Sequence, residues 1–447
     1  MSKMATLPLE VCEACLKKNI KSGDKVLAAV SGGVDSMVML HLLLTLKERL
    51  GITVEVGHIH HHLRVASDSE WEFVEAYCVV QGVPFHGRHI DVRAAQAEGG
   101  RSMEAAAHRL RHAALREIMA SCGATWLCLA HHAGDRAETV LMNVLRGTSV
   151  KGLATMSAQN GVILRPLLDV TRAEIEAYAI EHGISWVNDE SNSDTTILRN
   201  RLRHELIPLL SDYNPNIVQA LNHLAESSES VSDYIAMQAQ TLEREAVVFR
   251  AKQFCMLRRK TVIEAHEAVV SALLRELAER MSAERHSLHF EMVKQALARI
   301  EAGKGRYDLG QGRIIEVTRQ WIYIGAVPTG DWRREGECYV HDFLEARLTL
   351  GEKSPFAVRF PQSGDCICLE NLGHKRFKKI FQEKGVPTCL RAVWPLIYDI
   401  KTKEVIWAPF LARASLLMYY NSVTFSEVDL MITIAGQSER LTIEAGK

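Results

Sequence analysis

One stretch limits the folds open to this chain more than any other: Val26-Leu27-Ala28-Ala29-Val30-Ser31-Gly32-Gly33-Val34-Asp35-Ser36. Five apolar residues run into Ser-Gly-Gly, the pattern of a parallel strand covered on both faces. Met37, Val38, Met39, Leu40, Leu42, Leu43 and Leu44 follow. That segment is apolar nearly all round, so it reads as a helix packed against a sheet. A strand that ends in glycines and feeds a helix is an anion site, because the first helical N–H groups lack partners and glycine lets the backbone approach a ligand. Ser31 and Ser36 add hydroxyl donors, and Asp35 adds a carboxylate able to hold a metal ion. The chain contains neither G-x-x-x-x-G-K-[ST] nor G-x-G-x-x-G. This excludes a Walker A loop and argues against a dinucleotide fold. Two glycines alone would make an ordinary turn; the serines, the aspartate and the flanking pattern favour a phosphate loop.

At 447 residues the chain has room for two to four domains. Hydrophobic residues at 47% and charged residues at 24% are ordinary for a globular protein. With a net charge of −1, any nucleic-acid surface must come from local patches. No apolar run is long enough to span a bilayer, and Met1–Pro8 lacks the core of a signal peptide, so a cytoplasmic protein is expected. The ten cysteines are scattered, which suits reduced thiols. Cys12 and Cys15 share one helix face, but no second C-x-x-C accompanies them, so they read as core packing.

Helical and strand patterns alternate through the first two hundred residues. Helices are expected at 7–20, 69–81, from Ser102 (a candidate N-cap) onward, and at 172–182 behind a Thr171 cap. Strands are expected at 26–30, 52–57, 84–92, 126–130 and 164–168. This spacing predicts an α/β doubly wound parallel sheet, with ligands at the carboxyl ends of the strands. His58, His60, His61 and His62 invite a metal reading. However, alternate strand residues point oppositely and no carboxylate or cysteine completes a set. The position reads instead as a nucleotide edge, formed by Ala29, Ile59 and His61. In the helix after the fourth strand, Asp135, Glu138 and Met142 share one face, while Ala137, Leu141, Val144 and Leu145 are expected to face the core. Two carboxylates near a phosphate loop suit magnesium or an amine, although acids also favour any helix N-terminus. Leu198, Leu202 and Leu206 form a helical stripe that leaves Arg199 and Arg203 off the core. They are free for phosphate or RNA backbone, or merely solvated.

Ser31–Ser36 resembles the loop of the PP-loop ATP pyrophosphatases, which grips the pyrophosphate of ATP while the α-phosphate is attacked. His60-His61-His62-Leu63-Arg64 nearly matches that family's Asn-His-x-Leu-Arg. Arg146-Gly147-Thr148…Gly152-Leu153 and Asp189-Glu190-Ser191-Asn192…Arg199-Asn200…Arg203 are similar to one branch, the bacterial tRNA(Ile)-lysidine synthetases. The chain departs from that branch at His108 and His112 in Ala107–His112, and at Gly134 and Arg136 where His-His-x-Asp-Asp-Gln-x-Glu is usual. The resemblance implies ATP and Mg2+ as cofactors and, as partners, L-lysine and the isoleucine tRNA with a CAU anticodon. It implies that the cytidine O2 attacks the α-phosphate and that lysine then displaces AMP. On this reading Ser31, Gly32, Gly33, Val34 and Ser36 hold the pyrophosphate, and Asp35 and Asp135 hold magnesium. Glu138 holds or deprotonates lysine, and Arg111 and Arg203 contact phosphate. A PP-loop tRNA thiolase and a non-catalytic tRNA-binding relative are the alternatives; no credible cysteine pair supports the first, and the intact loop argues against the second.

Asn214-Pro215-Asn216 marks the end of a catalytic domain over 1–213. A helical middle domain is expected over 214–330, closed by a hairpin at 314–324, and a small α+β domain over 331–447. Within the last, His374–Lys384 reads as a basic helix. Phe377, Ile380 and Phe381 face inward, and Lys375, Arg376, Lys378 and Lys379 are available to tRNA, as are Arg199 and Arg203. The resemblance continues through Arg359-Phe360-Pro361…Gly364-Asp365 and Ile406-Trp407. Oligomeric state stays open, with a homodimer as one option.

Overall fold

The computed structural model describes residues 3–60, 66–92, 103–187, 197–282, 287–350, 354–369, 372–414 and 428–443. The chain divides into two compact units, 1–232 and 233–447. In the first, the elements run α1 (Lys3–Asn19), β1 (Lys25–Ala29), α2 (Val34–Leu50), β2 (Thr53–His60), α3 (Ala66–Gln81), β3 (Phe85–His89), α4 (Met103–Cys122), β4 (Trp126–Cys128) and α5 (Ala133–Leu145). After a short helix, α6 (Val150–Leu153), come β5 (Gln159–Asn160), β6 (Ile163–Leu164), α7 (Arg172–Glu181) and α8 (Leu198–Arg201).

The six strands lie in the order β3-β2-β1-β4-β6-β5. All pairings are parallel except that of β5 with β6. The chain moves outward from β1 through β2 to β3, and α4 then carries it back to β4 on the other side of β1. The strand order therefore reverses between β1 and β4, where such sheets open a crevice. Val26, Leu27 and Ala28 have no solvent exposure; Val26 and Ala28 pack in one core with α2, which buries nine side chains, and Leu27 packs on the opposite face against α4. Gly51, in the left-handed region at φ 65°, ends α2.

Several local expectations change. β2 runs three residues past Gly57, so His58 and His60 belong to the strand and are buried. The strand expected over 164–168 shrinks to Ile163–Leu164. In α5 the buried positions are Ala133, Arg136, Ala137, Glu138 and Val140, whereas Val144 and Leu145 are exposed. The helix thus turns a polar face inward because Arg136 and Glu138 both find charged partners there. Ser102, His61–Arg64 and the 189–192 block lie outside the described residues.

The second unit has a five-stranded antiparallel sheet made of Val247–Arg250, Phe254–Arg258, Gly305–Gly310, Arg313–Val317 and Trp321–Ala326. The expected hairpin is present, but two further strands precede it in a region that read as helical. Their residues alternate between two cores. Cys255, Leu257, Ile315, Ile322 and Ile324 pack with helices Glu267–Arg280 and Phe290–Ala302, while Phe254, Met256, Ile314 and Tyr323 join the core around Trp407. A strand buried on both faces is apolar without period, which hides it from pattern reading. The basic segment also differs: Gly373–Arg376 is a hairpin strand, and only Phe377–Glu383 is helical. Among the described residues, no helix is long and apolar enough to cross a membrane.

Candidate active site

The loop between β1 and α2 is built around two residues. Gly32 has φ +97°, a conformation that strains any side chain but glycine, and its carbonyl accepts the Val187 N–H at 3.0 Å. The Ser36 hydroxyl donates to the Gly33 carbonyl at 2.9 Å and accepts the Ser31 N–H at 3.2 Å. Ser36 therefore staples the loop, leaving the first N–H groups of α2 free of helical acceptors.

A cavity of about 730 Å³ opens at this point. Its lining includes Ala29, Ser31, Gly33–Ser36, Ile59, Arg111, Asp135, Arg199 and Arg203. It thus gathers, from five segments, most of the residues singled out in sequence. Gly32 and Glu138 do not line it. His58, His131, His132 and Arg172 do, and none of these four was assigned a role from sequence.

Asp35 and Asp135 face the same imidazole. The His132 Nε2 is 4.0 Å from Asp35 Oδ1 and 3.7 Å from Asp135 Oδ2. The His132 Nδ1 accepts the Gly134 N–H at 3.0 Å, so Nε2 is the ring nitrogen turned toward the carboxylates. Asp135 Oδ2 accepts the His132 N–H at 3.0 Å, completing a reciprocal cap on α5. Arg172 Nη1 holds Asp35 Oδ2 at 2.5 Å, whereas Asp35 Oδ1 is buried and has no hydrogen-bond partner. Burial raises the Asp35 pKa, with His132 and Arg172 opposing. Burial pushes Asp135 the same way, but His132, Arg199 and His131 outweigh it and keep that carboxyl below its ordinary value. His131 is pushed down to about 3, chiefly by burial, so its ring is neutral at pH 7. Burial and the neighbouring Arg199 also lower the Arg111 pKa, and its Nε has no partner. The cavity therefore offers an anion-binding helix start, one carboxylate oxygen without a partner and several guanidinium groups.

A family model described as a PP-loop domain matches residues 9–210, and one described as the TilS substrate C-terminal domain matches residues 356–415. A tRNA(Ile)-lysidine synthase from Pseudomonas fluorescens (strain Pf0-1) is 30% identical over 397 residues, covering 83% of this chain and 86% of that protein. The chain belongs to the tRNA(Ile)-lysidine synthase family. A relative of that name from Thermotoga sp. (strain RQ2) is 29% identical over 402 residues, 89% of this chain and 94% of that protein. Another, from Geobacter sulfurreducens, reaches 40% over 226 residues, 50% of this chain and 47% of that protein.

The departures from the lysidine synthase pattern have local explanations. A Cβ on Gly134 would lie 2.8 Å from Cε1 and 3.1 Å from Nδ1 of His132, so the present ring position requires glycine. Arg136 points away from the cavity. Its Nε donates to Asn222 Oδ1 and its Nη2 to Asp169 Oδ1 and Glu226 Oε1, each at 2.8 Å. His108 and His112 tilt against each other with ring centroids 4.4 Å apart. Burial, with His108 and Arg111 nearby, pushes His112 down to about 4.

Glu138 also differs from its expected place. It is 1% exposed, and its oxygens accept Arg203 Nε at 2.6 Å and Arg199 Nε at 2.8 Å. Its carboxylate is thus occupied by the two arginines it holds at the cavity wall. No cysteine lines the cavity among the described residues, and burial raises the Cys12 and Cys128 thiols, which disfavours thiolase chemistry. In the second unit, Lys375 pairs with Glu383 at 2.5 Å, while Arg376, Lys378 and Lys379 are exposed.

Proposed function

We propose that this chain joins the ε-amine of L-lysine to C2 of the wobble cytidine in the isoleucine tRNA with a CAU anticodon, consuming ATP and releasing AMP and pyrophosphate. The observation that carries the reading is the single cavity where the Ser31–Ser36 loop meets Asp35, Asp135 and the guanidinium groups. Family membership supplies the substrate. In the first step the cytidine O2 forms a bond to the α-phosphorus and pyrophosphate leaves. In the second the lysine nitrogen attacks C2, and O2 departs as part of AMP. Activation is needed because a ring carbonyl oxygen is a poor leaving group.

The N–H groups at the start of α2 and the Ser31 hydroxyl would take the charge that develops on pyrophosphate. Arg111, buried and with an unpaired Nε, would contact phosphate oxygens. The orphaned oxygen of Asp35 fits a magnesium ion, with Asp135 as the second carboxylate. Bound there, magnesium would neutralise charge across the phosphates. Asp135 stays ionised and can also draw the lysine ammonium into the cavity. Glu138 would act by positioning Arg199 and Arg203. Arg376, Lys378 and Lys379 would contact tRNA phosphates, and the enzyme would work in the cytoplasm.

Pyrophosphate release from ATP that requires both the tRNA and lysine for full turnover tests the reading. Asp35→Ala should abolish AMP and pyrophosphate release while tRNA affinity changes less than twofold. Normal turnover by that variant would remove Asp35 from the mechanism.

A further inference from the structure

At the amino-terminal ends of the strands, opposite the loop, a second group of side chains converges. Glu55 of β2, His86 of β3 and Cys122 at the end of α4 each offer one donor atom, and the three atoms lie within 4.8 Å of one another. The strand register explains the meeting. Gly57 pairs with His86, so Glu55 and His86 are diagonal neighbours on one face of the sheet. That face packs on α4 through Ile59, Leu115, Ile118 and Met119, which brings the end of the helix over Glu55. We propose that Glu55, His86 and Cys122 form a binding site for a zinc-class transition-metal ion.

The donor set is one carboxylate, one imidazole and one thiol, all types that zinc accepts, with a fourth position left for water. Zinc bonds of about 2.0 to 2.3 Å place tetrahedral donors about 3.3 to 3.8 Å apart, so Glu55 Oε2 and His86 Nε2, 2.7 Å apart and hydrogen-bonded to each other, open by roughly half an ångström while the thiol closes on them. Glu55 is arranged for one-oxygen ligation. Its Oε1 accepts the Lys25 ammonium at 2.8 Å, while Oε2 meets His86 Nε2 at 2.7 Å. Lys25 also donates to the Cys122 carbonyl at 2.8 Å, so it fixes both the carboxylate and the helix end. Ligating carboxylates and imidazoles are held in this way by outer partners. The Lys25–Glu55–His86 hydrogen bonds alone would account for two of the three residues. They do not involve the thiol, whose Sγ donates a long hydrogen bond, 3.6 Å, to the Met119 carbonyl and interacts with the Lys25 ammonium. A bound ion would tie α4, which carries Arg111, to β2 and β3.

The test uses the full-length protein freed of metal and nucleotide, titrated with Co2+ as a spectroscopic stand-in for Zn2+. One equivalent should give a thiolate-to-cobalt charge-transfer band that Zn2+ abolishes, and Zn2+ alone should raise Tm. Cys122→Ser and His86→Gln should each weaken Co2+ binding at least tenfold and remove the Zn2+ shift, with the circular dichroism spectrum unchanged. Absence of the band in the parent protein overturns the proposal. So does its persistence in Cys122→Ser, or an equal Zn2+ shift in that variant.

Discussion

Single atoms decide much of the site's geometry. The absence of a Cβ at Gly134 lets the His132 ring cap α5, and that cap sets the ring between Asp35 and Asp135. Gly134→Ala would place a methyl group against the ring. The expected outcome is loss of the cap, about 1 kcal/mol of stability by comparison with other caps, and slower pyrophosphate release. Thermal unfolding and single-turnover kinetics check both parts. Asp35 is similarly defined by one bond: Arg172 takes Oδ2 and leaves Oδ1 without a partner. Nothing in the local sequence links Arg172 to Asp35, because Thr171-Arg172 reads there only as a capped helix start.

At the level of elements, α5 shows how a buried polar face is tolerated. Arg136 reaches three acceptors, and Glu138 receives two arginines. Arg136→Leu would leave Asn222 buried without that partner, while Asp169 and Glu226 are half exposed and can rehydrate. The expected cost is therefore about 1 to 3 kcal/mol, below that of breaking a fully buried pair, and urea unfolding measures it.

Glu316 plays a comparable role in the second unit, accepting the Thr388 and Cys389 N–H groups. Burial opposes its ionisation, but those N–H bonds outweigh it and hold the pKa below its usual value. A carboxyl lowered on folding adds stability above its unfolded pKa, about 4.3, and loses it as pH falls through the folded value. Unfolding midpoints of the second unit should therefore drop as pH falls from about 4.3. Glu316→Gln should lower stability at neutral pH and flatten that acid-side slope.

For the whole molecule, net charge is only −1, so tRNA affinity must depend on local cations. The triple change Arg376→Ala, Lys378→Ala and Lys379→Ala should weaken tRNA binding and reduce the slope of log affinity against log salt by about 2. ATP binding should be unaffected. Filter binding across a salt series, with nucleotide titration beside it, distinguishes a phosphate-contacting face from a merely solvated one.

How much was legible follows from the range of the forces involved. The strand, loop and helix at 25–50 are written in near-neighbour pattern: apolar runs, a glycine that must take φ +97°, and the start of a helix. The parallel sheet, and the crevice at its strand ends, follow from that alternation. The strands at 247–250 and 254–258 were not legible, because burial on both faces erases periodicity. The short helix at 377–383 shows a different limit, since three residues expected in it, His374, Lys375 and Arg376, pair instead with a preceding strand as a largely exposed hairpin strand. Sequence by itself therefore determined the phosphate loop, the sheet and the two carboxylates. Only the tertiary structure decided which carboxylate oxygen lacks a partner, that Glu138 is held by Arg199 and Arg203, and that His132 and Arg172 belong to the site. Those outcomes rest on contacts between residues tens of positions or more apart, and such pairings leave no period in the chain.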